Sequence, residues 1–451
     1  MRIVSPEFGR IDTARLRPAV LARLRRLDRH RAGTPGATVF DWGEGGRWLR
    51  VRNHVGVIRV EGLTVEILPK LAGPDLPLYD PAEADERGGG WARAQRNLVY
   101  MLSVAGHLPF RDREVAAQRV RRLPLIEALV DAFARRLLAE LRRGPDRSYV
   151  GREENLSVFR GKLLTTAHVK LNAVRRDRLF VAYDDFVADT PIGRILKATC
   201  RRLLAVTARA DARQRLREGV IELADVEDVG LDVRSFDAVH YTRNSERFSP
   251  LVDFARLVVD GMTPVPGVGD RETFSLLFPM EQVFEAFVGR MIRRHAPELG
   301  LDASAVLLQA RGGTKWLVHE GGVRGRFQLR PDVLIRADRR RARTILDTKW
   351  KRLKPDDADV KVGVAQSDMY QLFAYAHRFE CPDNVLLYPS PGDGAIVRRR
   401  YHIRGDGDDK VIRVETLDVS RDLCADRSAV VAELRRAIWP AIGPQGGVAP
   451  R

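Results

Sequence analysis

Arg330-Pro331-Asp332 and, further on, Thr344-Ile345-Leu346-Asp347-Thr348-Lys349 are the stretches on which the reading of the C-terminal third depends. If the second is a β-strand its side chains alternate faces, so Asp347 and Lys349 project from one side while Leu346 and Thr348 point to the other. Asp332 heads a short apolar run over 333–335, and the arginine-rich stretch 336–343 has the length and polarity of a hairpin connection. Antiparallel pairing of the two runs would bring Asp332 beside Asp347, two hard oxygen ligands for a divalent cation with an ammonium next to them. An exposed ion pair between Asp347 and Lys349 would contribute only about 0–1 kcal/mol and need no function. Ile345, Leu346 and Trp350 make this strand apolar, however, and charges on a buried strand require a reason.

Bulk properties bound what surrounds this site. The chain has 451 residues, enough for two or three domains, and its 44% hydrophobic content supplies packed cores. A formal net charge of +17 points to a polyanionic partner, nucleic acid first, although much of it is arginine, which a GC-rich codon bias also produces. Cys200, Cys381 and Cys424 show no CxxC spacing, which speaks against a disulfide framework or a cysteine zinc site and suits a reducing cytoplasm. The histidines have no HxH or HExxH spacing. No apolar run approaches the roughly 18 residues of a membrane span, and the charged residues 1–10 do not resemble a signal peptide.

Taken in order, residues 55–70 carry two β-rich runs flanking Glu61-Gly62, a hairpin in a small β-unit over 1–71. Before it, Leu16, Val20, Leu24 and Leu27 have helical spacing. Glycines and prolines over 72–92 read as a linker. A helical and mixed middle domain is expected over 93–263, with helices over 92–105 and 124–142 and short basic strands over 159–171 and 180–183. Asp189-Thr190-Pro191 opens a further helix, with a cap at Asp189 or Thr190. A second boundary falls at 264–270, and a third domain at 271–440 precedes a flexible tail, 441–451.

The third domain opens with a helix over 278–295, on which Glu281 and Glu285 flank a buried stripe of Met280, Val283, Phe284, Phe287, Val288 and Met291. After the strands around Asp332 and Asp347 comes a helix over 366–379, in which Gln371 and Tyr375, four apart, share a face. Strands over 384–388 and 411–417 follow. The fold class is mixed α/β, helices covering a sheet whose central strands bear the carboxylates and the lysine.

These residues resemble a known family. Arg330-Pro331-Asp332, Leu346-Asp347-Thr348-Lys349-Trp350 and Gln371-Leu372-Phe373-Ala374-Tyr375 look like the PD-(D/E)XK nuclease core with the helical Gln-x-x-x-Tyr element of its RecB-like branch. Residues 55–70, Asn97-Leu98-Val99-Tyr100-Met101-Leu102, Phe159-Arg160-Gly161-Lys162-Leu163 and Asp189-Thr190-Pro191 look like the McrC family, the nuclease subunit of McrBC-type restriction systems. Gly193 departs from the polar residue expected after the Thr-Pro pair. The resemblance implies DNA phosphodiester hydrolysis, with Mg²⁺ or a substituting Mn²⁺ held by Asp332, Asp347 and the Thr348 carbonyl. Lys349 would orient or deprotonate the attacking water, or stabilise developing charge. Glu285, with Glu281 as fallback, would add a carboxylate, and Gln371 and Tyr375 would position Lys349 or the strand. It also implies an McrB-like AAA+ GTPase partner that selects modified DNA and is engaged and stimulated through the N-terminal region, and leaves open whether two nuclease copies meet to cut both strands. No GxxxxGK[ST] phosphate loop occurs, so nucleotide binding is left to that partner. A catalytically silent regulator of an AAA+ motor and a stand-alone repair nuclease are the alternatives. The carboxylate and lysine set argues against the first, and the long N-terminal region against the second.

Overall fold

The computed structural model describes residues 1–31, 38–70, 88–108, 123–263, 273–311, 313–338, 341–353, 361–390, 396–403 and 410–439. By packing, the chain divides into one unit of residues 1–125 with 263–451 and another of residues 126–262. The mixed α/β class expected from the sequence is what forms.

The first unit begins with β1 (Arg2–Pro6), β2 (Arg10–Asp12), α1 (Pro18–Arg31), β3 (Phe40–Trp42), β4 (Trp48–Val51), β5 (His54–Val60), β6 (Leu63–Leu68) and α2 (Gly88–Val104). Pro18 starts α1 where its missing N–H costs nothing, and Val20, Leu24 and Leu27 pack against Ile58, Val65 and Ile67. The expected hairpin forms between β5 and β6. Its two turn residues, Glu61 (φ 45°) and Gly62 (φ 81°), are both left-handed, as a two-residue type I′ connection requires. Residues 71–87 lie outside the described residues, and α2 begins at Gly88, ahead of the helix start expected at 92.

The second unit holds α3 (Leu125–Leu141), β7 (Ser148–Leu156), β8 (Lys162–Leu163), α4 (Thr165–Asn172), β9 (Leu179–Val187), α5 (Pro191–Val206), α6 (Ala210–Glu222) and α7 (Ser249–Asp260). Thr190 is the cap of α5, its hydroxyl accepting from the Gly193 N–H at 3.1 Å. The strand expected over 163–171 is mostly the helix α4. Asn172, at its end, exchanges amide hydrogen bonds of 2.8 and 2.9 Å with Asn155 on β7, side-chain bonds that fix a helical turn where residue pattern suggested extension.

The first unit resumes with β10 (Met262–Thr263), β11 (Thr273–Pro279), α8 (Met280–Arg294), β12 (Val306–Leu308), β13 (Lys315–Glu320), β14 (Arg324–Leu329), β15 (Val333–Arg336), β16 (Ala342–Thr348), α9 (Gln366–Arg378), β17 (Asp383–Ser390), β18 (Arg399–Ile403), β19 (Lys410–Asp418) and α10 (Arg427–Ile438). The helix expected from 278 starts at Met280, because 273–279 is drawn into a strand that pairs antiparallel with β5, Leu276 opposite Val57. Three of the N-terminal strands therefore share one five-stranded sheet, β1-β6-β5-β11-β10, with the start of the third expected domain, while β2, β4 and β3 form a small sheet of their own. The expected boundary at 264–270 and the tail 441–451 lie outside the described residues.

The second large sheet has the order β12-β15-β16-β17-β19-β18. β15 and β16 pair antiparallel with Val333 opposite Leu346, while β16–β17 and β17–β19 are parallel. Leu372, Tyr375 and Phe379 of α9 cover one face, packing in a cluster with Leu334, Ile345, Leu386 and Tyr388. On the opposite face α8 lies against Val333 at Gly289.

Candidate active site

The register that sets Val333 opposite Leu346 puts Asp332, one residue earlier, beside Asp347 at the end of the paired strands. Asp347 lies on the α9 side, since Ile345, two residues inward on β16, belongs to the cluster beneath that helix, while Asp332, just ahead of β15, lines a cleft along α8. Thr348 holds Asp332 twice: its backbone N–H and its hydroxyl donate to Asp332 Oδ2 at 2.7 and 2.6 Å. Lys349 follows the last residue of β16, and its Nζ lies 2.5 Å from Asp347 Oδ2 and donates to Gln371 Oε1 at 2.9 Å. Gln371 Nε2 in turn donates to the Tyr375 hydroxyl at 2.8 Å. Asp332, Asp347, Lys349, Gln371 and Tyr375, five residues expected from the sequence, thus form one continuous set.

The two first-helix acids part company. Glu285 lines the same cleft as Asp332 and accepts from Gln309 Nε2 at 3.0 Å. Glu281 is exposed one turn earlier, outside that lining. Among the described residues no three His, Cys, Asp or Glu side chains converge at metal-binding spacing.

The electrostatics follow from the crowding of charge on a largely buried strand. Burial raises the pKa of Asp332, and Asp347 and Glu285 nearby raise it further. Asp347 is 1% exposed, and its burial outweighs the pull of Lys349, leaving its pKa raised as well. Burial works against the Lys349 ammonium, but Asp347 more than compensates and its pKa ends above the ordinary lysine value. Asp347 Oδ2 is buried and, among the described residues, meets only the Lys349 ammonium, at 2.5 Å. Two adjacent, largely buried carboxylates that resist ionisation are hard oxygen donors that suit a divalent cation, whose charge would keep both ionised. The donors present fit Mg²⁺ in that sense.

The family model for "McrBC 5-methylcytosine restriction system component" matches residues 49–389. The chain belongs to this McrBC family. Among solved structures, a chain from the Thermococcus gammatolerans assembly of McrB AAA+ hexamers with bound McrC is similar at TM-score 0.65 and 18% identity, covering 95% of this chain and 100% of that one. A chain from the Thermococcus gammatolerans McrBC complex is similar at TM-score 0.53 and 22% identity, covering 66% of this chain and 88% of that one. At these identities the likeness is one of fold. No curated protein matches.

In this McrBC-family chain the sequence reading passed over Asp368. It is buried, accepting from Lys351 Nζ at 2.9 and 3.1 Å and from the Tyr388 hydroxyl at 3.0 Å, close enough to Asp347 to act on its charge. A signal was present, since Asp368, Gln371 and Tyr375 follow the three-and-four spacing of one helix face. Gln309 carried no such signal. Of the arginine cluster 339–343, two residues lie outside the described ones, and Arg343 stacks over the Trp439 ring at 3.7 Å.

Among the described residues no helix is long and apolar enough to cross a membrane.

Proposed function

We propose that the chain is the DNA-cutting subunit of an McrBC-type restriction complex, a Mg²⁺-dependent endonuclease that works with, and stimulates, an McrB-like AAA+ GTPase. The observation that carries the reading is the convergence of Asp332, Asp347 and Lys349 on two paired strands, with Gln371 and Tyr375 behind the lysine. Family membership and the fold shared with chains of McrB–McrC assemblies support the partner. Modified DNA would be selected by that partner, and a second copy of the nuclease would serve the opposite strand.

The metal would be held by Asp332, Asp347 and the Thr348 carbonyl, and when bound would neutralise phosphate charge and lower the pKa of water. Thr348 fixes the Asp332 carboxylate through two hydrogen bonds, so its oxygens are oriented before any ligand arrives. Lys349, held charged by Asp347, is suited to stabilising the negative charge that builds on the phosphate rather than to accepting a proton. Gln371 restrains the ammonium from the other side, and Tyr375 restrains Gln371.

The test is cleavage of modified DNA by the assembled complex with GTP and Mg²⁺. Asp347→Ala or Lys349→Ala should lower the cleavage rate by at least about 10²-fold, with stimulated GTP hydrolysis intact. Unchanged cleavage in either variant would overturn the site assignment.

A further inference from the structure

One face of α8 runs away from the carboxylates and becomes basic. Glu285, Gly289 and Arg293 lie four apart and Arg290 three before Arg293, and together with Asp332 and Arg311 they line a cleft of about 580 Å³. From Glu285 to Arg293 the helix rises about 12 Å, room for several nucleotides at about 3.4 Å of axial rise per nucleotide in one strand. We infer that this cleft is a binding track for a nucleic-acid backbone, in which Arg290, Arg293 and Arg311 receive the phosphates flanking the one presented to Asp332 and Asp347. This deepens the nuclease reading above and rests on it.

The cleft is built, not incidental. A Cβ at Gly289 would stand 2.9 Å from Leu308 Cδ2, so the bare glycine leaves the Leu308 side chain of β12, the far wall, packed directly against α8. Directly after β12 the backbone turns through two successive left-handed residues that are not glycine, Gln309 (φ 51°) and Ala310 (φ 48°). Such a conformation costs of the order of 1–3 kcal/mol per residue and persists only where neighbours over-determine it. Here the Gln309 N–H donates to the Asp332 carbonyl at 2.8 Å, its side chain donates to Glu285 at 3.0 Å, and the Arg311 N–H donates to the Leu308 carbonyl at 3.1 Å. The turn ties the metal-binding end of the cleft to its basic wall and brings Arg311 round to the lining. A ligand spanning the cleft must therefore satisfy carboxylates at one end, through a cation, and guanidinium groups along its length. A phosphodiester strand does both, whereas an acidic peptide offers its charges on flexible side chains with no atom for the carboxylate end to act on.

Two measurements on the full-length chain assembled with its AAA+ partner test this. The first is affinity for a labelled DNA duplex across a salt series in Ca²⁺, comparing wild type, Arg293→Glu with Arg311→Glu, and Arg293→Lys with Arg311→Lys. The reversed pair should bind at least about tenfold more weakly, with the slope of log K against log salt smaller by about two, and the lysine pair should retain the slope. In the second, Gln282→Cys, at the cleft lining, should form a disulfide with duplexes carrying a thiol tether on a phosphate next to the cut site and not with distant tethers. Unchanged affinity and slope with no position-dependent cross-link would overturn the track. Equal displacement of DNA by poly-glutamate would overturn the backbone assignment and make the cleft a general anion surface. Failure of the nuclease reading is separable: wild type that binds, cross-links and never cuts leaves the track standing and removes the chemistry.

Discussion

At the scale of single residues, the Asp347–Lys349 pair at the end of β16 and its partner Asp332 were legible because a strand's period of two assigns faces without any knowledge of the fold, and antiparallel pairing was the simplest use of the intervening polar run. Gln371 was legible as a helix-face residue, but its bond to Lys349 is tertiary. Gln309 was not legible at all, because its reach to Glu285 depends on a left-handed turn that no glycine or asparagine announces. The hydrogen bond from Lys349 to Gln371 makes a graded prediction. Gln371→Ala frees the ammonium to swing without removing it, so the cleavage rate should fall roughly tenfold, less than for Lys349→Ala, whose loss removes the charge itself. Single-turnover cleavage under saturating DNA measures both. A Gln371→Ala rate equal to wild type would show that Asp347 alone orients the lysine.

At the scale of elements, sequence periodicity located the long helices well, and it failed where side chains or distant strands reshape a short segment. Residues 165–172 form α4 under the hold of Asn172, and 278–279 are pulled into β11 by pairing with β5. At Gly193, the departure noted in the sequence, a Cβ would meet Val226 Cγ2 at 3.1 Å and the Ala188 carbonyl at 3.3 Å, so a larger residue there would make its neighbours give by a few tenths of an ångström. The β5–β11 pairing depends on Gly56 in the same way and more severely. Its φ is 132°, and an added Cβ would lie 1.9 Å from the Leu276 carbonyl oxygen. Gly56→Ala should cost roughly 2–5 kcal/mol from backbone strain and overpacking combined. Gly62→Ala, at φ 81° with no atom within 4 Å, carries the backbone strain alone and should cost about 1 kcal/mol. Thermal melts of the two variants check the contrast. Equal shifts would mean that β11 can move away from β5 without loss.

At the scale of the whole first unit, the sequence could not foretell that its two ends share a core, because pairings between residues more than two hundred positions apart leave no local pattern. The join is made at Glu7, directly after β1, whose Oε1 accepts from Trp350 Nε1 at 2.5 Å and from the Lys70 N–H at 3.2 Å, while Lys70 Nζ donates to the Trp350 carbonyl at 3.3 Å. Trp350 follows Lys349 and packs its ring 5.2 Å from that of Phe284, next to Glu285, so the N-terminal strand braces both walls of the candidate active site. Glu7 is 1% exposed and its Oε2 has no hydrogen bond. Burial pushes its pKa up to about 7, against the opposing pull of Lys70 and Trp350. Because the folded value lies above the unfolded one, the stabilising contribution is complete below about pH 4.5, declines as pH rises through about 7, and is absent above that. At about 1.4 kcal/mol per unit, the ionised group costs the fold roughly 3 kcal/mol at pH 8. Glu7→Gln keeps an acceptor for Trp350 and Lys70 and carries no charge, so it should melt several degrees above wild type at pH 8, with the gap closing towards pH 4.5. Asp332 and Asp347 also have raised pKa values and slope the wild-type curve in the same direction, but they are common to both proteins and cancel in the difference. A gap independent of pH would mean that Glu7 is ionised in the folded chain and that its partners, rather than its protonation, hold the two ends together.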